Sequence, residues 1–299
     1  MANTEMVDIK LVKSFSSQAE LGEGVFYSQA RAKVYWVDIY GCKIHVMDWH
    51  SHSVETFSTP EPVCWVKEIV SGQLIAGFVT GIFILDEKCR PQHKLWQLPG
   101  DAAGNRLNDA KVDRHGNLYF GTMDISEKNA SGKLYQLHEP NNAIPIDTGY
   151  VVSNGPAFSP DGNIIYSVSS KPRIVYALHL GCNKQPSSKI PFIRLSESQG
   201  HPDGVTVDAN GYLWVCAWDG SAVLCYSTEG SLVQSYSLPV PRITSVTFAG
   251  PELDFLVITS ARTGLSPSDL LAFPLSGDTF LFKTNTNGII DKPANLRIA

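Results

Sequence analysis

One short unit recurs six times along the chain, and that repetition limits the fold more than any other feature. Alternating apolar runs rich in Val, Ile, Tyr, Trp and Phe begin at residues 33, 73, 117, 163, 212 and 254, about 40 to 50 residues apart. Each is followed by a second run, at 43–48, 81–86, 133–137, 173–178, 222–226 and 269–273, and preceded by another, as at 154–159 and 203–208. Turns of hairpin chemistry separate them, such as His-Gly-Asn at 115–117, Pro-Asp-Gly-Asn at 160–163 and Asn-Gly at 210–211. Repeats of three or four antiparallel strands with no sustained helical period predict an all-β, six-bladed propeller. The competing β-sandwich rarely repeats one unit six times. Residues 7–12 precede the first repeat and 279–283 follow the last; one of these segments is expected to supply the outer strand that closes the ring. No low-complexity linker interrupts the chain, so residues 1–299 read as a single domain.

The repeat also works as a ruler. Counting back eight residues from the turn glycines Gly116, Gly162 and Gly211 gives Asn108, Asn154 and Asp203. Matching the other repeats gives Glu23, Cys64 and Thr244. The first strand of a propeller blade is innermost, so these six positions should face one another across the central channel. Two of the six are carboxylates, which repel each other when crowded. A divalent cation would relieve that repulsion. Carboxylate and amide oxygens form a hard-ligand set that suits Ca²⁺ first, then Mg²⁺ or Mn²⁺, with Zn²⁺ and Fe²⁺ as alternatives. The residues alone leave two readings equally open, a central metal site and a polar, water-filled channel mouth.

Motifs at these positions carry a resemblance. The chain resembles the senescence-marker-protein/gluconolactonase family, which includes luciferin-regenerating enzymes. The matching runs include Leu-Gly-Glu-Gly at 21–24, Val-Tyr-Trp-Val-Asp-Ile at 34–39, Arg-Leu-Asn-Asp at 106–109, Gly-Thr-Met at 121–123, Ser-Asn-Gly at 153–155, Pro-Asp-Gly at 202–204 and Leu-Trp-Val at 213–215. Each is weak alone; in order across nearly the whole chain they are specific. The resemblance implies a six-bladed propeller, one divalent metal on Glu23, Asn154 and Asp203, and a sugar-acid lactone held by Arg106 and Asn108. The implied activity is metal-dependent hydrolysis of an aldonolactone such as a glucono- or pentonolactone, with Asp203 as general base for the attacking water. Two positions depart from the family pattern: Ser126 stands where a substrate-binding glutamate is found, and Ser169 where an aspartate is common. Both bear on which substrate is read.

Other residues are expected to be structural or peripheral. Asp109 should lie on the opposite face from Asn108 and tie blades together, and Asp113 and Asp208 should initiate turns. His201 is expected in an exposed loop, with a pocket contact as the alternative. Trp36, Trp65, Trp214 and Trp218 should fill blade cores, with Trp65 a candidate for stacking on a sugar. A net charge of −5 and the lack of a Lys/Arg cluster argue against nucleic acid or an anionic membrane as partner. No apolar run reaches the ~20 residues needed to span a bilayer. Residues 1–8 lack the pattern of a secretory signal, and the six cysteines form no C-x-x-C pair, which fits reduced thiols and a cytoplasmic protein. Gly-x-Ser-x-Gly and phosphate-loop motifs are absent. Two further readings remain, a Ca²⁺-binding regulatory or scaffold propeller without catalysis, and a promiscuous metal-dependent esterase or phosphotriesterase. The oligomeric state is not legible.

Overall fold

The computed structural model describes residues 7–102, 104–182 and 185–296, so residues 1–6, part of the segment read for a secretory signal, lie outside it. The described strands form six antiparallel sheets of four. The inner strands are Gly22–Ser28, Val63–Glu68, Asn105–Val112, Ser153–Phe158, His201–Val207 and Ile243–Ala249. Each packs against the next, and the sixth packs back on the first, so the sheets close into a ring of six blades. Alternation explains the strands: Val34 and Trp36 point into one inter-blade core with Met47, while Tyr35 and Val37 join another with Phe26. Trp36, Trp65 and Trp214 are fully buried, each large ring covering area that only face-to-face blade packing removes from water.

Trp65 is therefore core, and the alternative of sugar stacking is corrected. Its indole lies directly on Gly77, where an added Cβ would stand 2.2 Å from the ring. Only glycine permits that approach.

The ring closes through one of the two segments expected to supply the outer strand, the N-terminal one. Residues 279–283 are not the outer strand; Thr279–Thr284 is the third strand of blade six, and the N-terminal Ile9–Phe15 pairs onto it as the fourth. The run at 269–273 is not a strand. It falls in and just after a short helix, Pro267–Ala272. The reason is local: Ser266 Oγ accepts from the Asp269 amide at 3.2 Å, while Asp269 Oδ2 accepts from the Ser266 amide at 2.9 Å. This capping box, with Pro267 at the first helical position, outweighs an apolar run that contains no β-branched residue.

The inner strands share one irregularity that positions the site. In each blade the register with the second strand slips by one residue at the ruler position: between Glu23 and Phe26, Val63 and Trp65, Leu107 and Ala110, Asn154 and Ala157, Pro202 and Val205, and Ile243 and Val246. A bulge bends the strand and re-aims its side chain, here at the same height in every blade. At the other end of the inner strands, the C-terminal segment crosses the ring. It bonds through backbone groups to Ala209, Leu253, Glu68, Val70 and Gly116, and Asp291 pairs with Lys111 at 2.7 Å.

Candidate functional site

A cavity of about 350 Å³ opens where the inner strands begin. Four of the six ruler residues line it: Glu23, Asn108, Asn154 and Asp203. Cys64 and Thr244 do not. Cys64 Sγ donates to the Leu107 carbonyl at 3.0 Å, and Thr244 Oγ1 donates to the Gly22 carbonyl, so these two tie neighbouring blades instead.

The amide orientations follow from chemistry. Arg106 Nη1, which can only donate, bonds to Asn108 Oδ1 at 2.7 Å. The other end of that amide, Nδ2, donates to the Ser153 carbonyl at 2.7 Å, which can only accept. Asn108 is thereby fixed from both sides. Its Nδ2 also meets Asn154 at 2.7 Å, so the Asn154 atom there is Oδ1, and Asn154 Nδ2 turns to Ser170 Oγ at 3.0 Å. A carbonyl oxygen has two lone pairs; Asn154 Oδ1 keeps one for a further partner.

The carboxylates are under electrostatic stress. Burial, reinforced by the charge of Asp109, pushes Glu23 up to about 8. Burial, followed by the charges of Glu23 and Asp109, raises Asp203 well above the usual carboxylate range. Arg106 offsets only a small part of this. Glu23 Oε2 accepts from the Gly24 amide at 3.1 Å, but Asp203 Oδ1 is buried and has no hydrogen-bond partner among the described residues. An unsatisfied buried oxygen beside a second desolvated carboxylate is costly. Protonation or a bound cation would each relieve it, and Glu23, Asp203 and the Asn154 oxygen form the hard donor set that fits a divalent cation. Among the described residues, no three His, Cys, Asp or Glu side chains gather as a metal-ligand group; the set here depends on amide oxygen.

Asp109 behaves as expected. Its Oδ1 accepts from the Ala110 amide at 2.7 Å and its Oδ2 from the Gly155 amide of the next blade at 3.0 Å. Asp113 and Asp208 each accept two backbone amides of the turn that follows. His201 is on the cavity wall, tethered through Nδ1 to the Ser170 carbonyl at 2.9 Å. The carbonyl accepts, so Nδ1 carries a proton and Nε2 is the basic nitrogen of the neutral ring.

Ser126 departs from its expected place. Its side chain bonds to Asp124 Oδ2 at 2.6 Å, in an exposed loop outside the cavity wall. The neighbouring Glu127 lines the cavity and pairs with Lys171 at 2.7 Å across blades three and four. Likewise Ser169 is buried, and Ser170 reaches the cavity. Sequence reasoning also missed Tyr40, Asp219 and Arg242 on the wall and read Trp218, which lines it too, as blade core.

The sequence matches the family model described as the SMP-30/Gluconolactonase/LRE-like region over residues 21–262. The chain belongs to that family. Among relatives of the SMP-30/gluconolactonase family, a 6-deoxy-6-sulfogluconolactonase of Pseudomonas putida is 31% identical over 90% of this chain and 92% of its own. A pentonolactonase of Haloferax volcanii is 28% identical over 82% of this chain and 83% of its own. The calcium-binding regucalcin of Agrobacterium tumefaciens superposes with a TM-score of 0.89 at 25% identity, covering 96% of this chain and 98% of that one. Family membership and the six-bladed ring thus agree with the expectations from sequence.

Proposed function

We propose that the protein hydrolyses sugar-acid lactones, aldonolactones of the glucono- or pentono- type, with residues 1–299 acting as one catalytic domain. The observation that carries this is the buried Asp203 Oδ1, without a hydrogen-bond partner among the described residues, which with Glu23 lines a cavity open enough to admit a small ligand. The relatives named as lactonases supply the reaction class. Glu23, Asn154 and Asp203 would hold one divalent cation, Ca²⁺ favoured; when bound, it supplies Lewis-acid stabilisation to the carbonyl oxygen of the lactone.

The chain's own groups account for the rest. Asp203 takes a proton from the water that adds to the carbonyl carbon. The ring C–O bond then breaks, and the departing alkoxide takes the proton back from Asp203 to become a hydroxyl, which restores the carboxylate. The products at neutral pH are an open-chain aldonate and one released proton. Arg106, anchored through Nη1 on Asn108 and the Leu107 carbonyl, keeps its other N–H groups for sugar oxygens. Asn108 orients Asn154 and Arg106 at once. Ser126, bonded to Asp124, leaves the rim position to Glu127.

A calcium-binding scaffold would need the same three ligands but neither Arg106 nor a cavity beside them. Asp203→Asn tests the reading through proton release from glucono-1,5-lactone. A fall of about 10³-fold or more, in line with loss of a general base, with circular dichroism unchanged, is expected. Retention of turnover would remove Asp203 as the base.

A further inference from the structure

The positions two residues before the ruler form a second ring, one layer nearer the cavity mouth. They are Leu21, Pro62, Arg106, Val152, His201 and Arg242, and all but Pro62 line the cavity. Arg106 belongs to blade three and Arg242 to blade six. Three steps apart in a ring of six, the two arginines stand across the channel from each other. Between them in the ring, blades one and four contribute apolar Leu21 and Val152.

Arg242 is built into the wall. Its Nε donates to Asp219 Oδ1 at 2.8 Å, its Nη1 donates to the Thr263 carbonyl, and its guanidinium carbon lies 4.8 Å from the Trp218 ring. Gly264 makes room for it: a Cβ there would lie 2.4 Å from Nη1. Among the described residues, no partner takes the Nη2 protons. The Arg242 side chain is 16% exposed, and its counter-ion Asp219 48%. A guanidinium locked in place and largely desolvated, with two N–H groups unused, fits an acceptor that brings charge. Lys171 adds a third cation, after Arg106 and Arg242, to the same cavity, and its pair with Glu127 is about half exposed. Such exposed pairs are weak enough to yield to an incoming anion.

We propose that Arg242 is a specificity-determining residue, receiving an oxyanion substituent (carboxylate, sulfonate or phosphate) at the end of the lactone remote from its carbonyl. This rests on the lactonase reading above: Arg106 and the carboxylate floor hold the reacting end, and Arg242 holds the opposite end from across the ring.

The test compares 6-phospho-D-glucono-1,5-lactone with D-glucono-1,5-lactone. Wild-type kcat/KM should favour the phosphorylated lactone by about tenfold or more, the size expected of hydrogen bonds to a charged group. In Arg242→Gln that preference should collapse to within about threefold, with Arg242→Lys between, because an ammonium keeps the charge but not the fork. Calorimetry with the open-chain acid 6-phospho-D-gluconate, set against D-gluconate, should show the same loss without turnover. No wild-type preference for the anionic lactone overturns the proposal, as does a preference unchanged in Arg242→Gln. Wild-type protein that hydrolyses neither lactone while binding the phosphorylated acid through Arg242 would overturn the lactonase reading instead.

Discussion

At the residue scale, the site is a problem in charge. Glu23, Asp203 and Asp109 are all buried within one stretch of channel, and Arg106 is the cation nearest them on the cavity wall. Their tasks differ because their bonds differ. Asp109 has both oxygens occupied by backbone amides of two blades, so it is a structural tie. Asp109→Ala should lower stability by about 2–3 kcal/mol, the size of a lost charge-assisted buried hydrogen bond, read as a lower Tm with cation affinity the lesser change. Asp203 has one oxygen with no hydrogen-bond partner among the described residues. Its place on the channel wall was legible in sequence because the eight-residue offset from a turn glycine is shared by blades three, four and five. Arg242 was not read, although the same ruler reaches it: it stands two residues before Thr244, as Arg106 stands two before Asn108. Glu127 and Tyr40 lie in loops that follow second strands; in the first of these the sequence reading chose Ser126 over its neighbour Glu127, and nothing in the sequence marked Tyr40.

At the element scale, strands were legible where alternation and turn chemistry coincide, and poorly where a terminus or an insertion decides. Residues 269–273 looked like a strand by apolarity, but the Ser-Pro-Ser-Asp run before them is a helix start. The N-terminal strand Ile9–Phe15 and Thr279–Thr284 were both seen; which one is outermost depends on pairing over more than 250 residues, which no local pattern encodes. That pairing covers the edge of blade six. Deleting residues 1–16 should expose the Thr279–Thr284 edge and cause a lower Tm with concentration-dependent association, measured by light scattering. The C-terminal segment has no repeat signature at all. Its anchor, Asp291 with Lys111, is largely buried at side-chain exposures of 8% and 14%. Asp291→Ala would leave Lys111 without its partner, a change worth about 3–5 kcal/mol for buried pairs, seen as a reduced denaturant midpoint.

For the whole molecule, the ring turns six ordinary blades into one stressed centre, and that stress should show in global stability. A carboxyl whose folded pKa lies above its unfolded value stabilises the fold while protonated. Glu23 moves from 4.5 to about 8, so the cation-free protein keeps this contribution below about pH 4.5 and loses it as pH rises through about 8. Divalent cation should therefore raise Tm most at the alkaline end of that window, with protons released on binding. Thermal scans from pH 5 to pH 8.5, with and without Ca²⁺, check both statements. The most direct test of the central claim is the initial rate of glucono-1,5-lactone hydrolysis after exhaustive chelation and then after stoichiometric return of a divalent cation. The account predicts a loss of about 100-fold or more on chelation, as expected where a metal supplies several kcal/mol of charge stabilisation, and recovery on return of the ion. An unchanged rate in the chelated protein would contradict it.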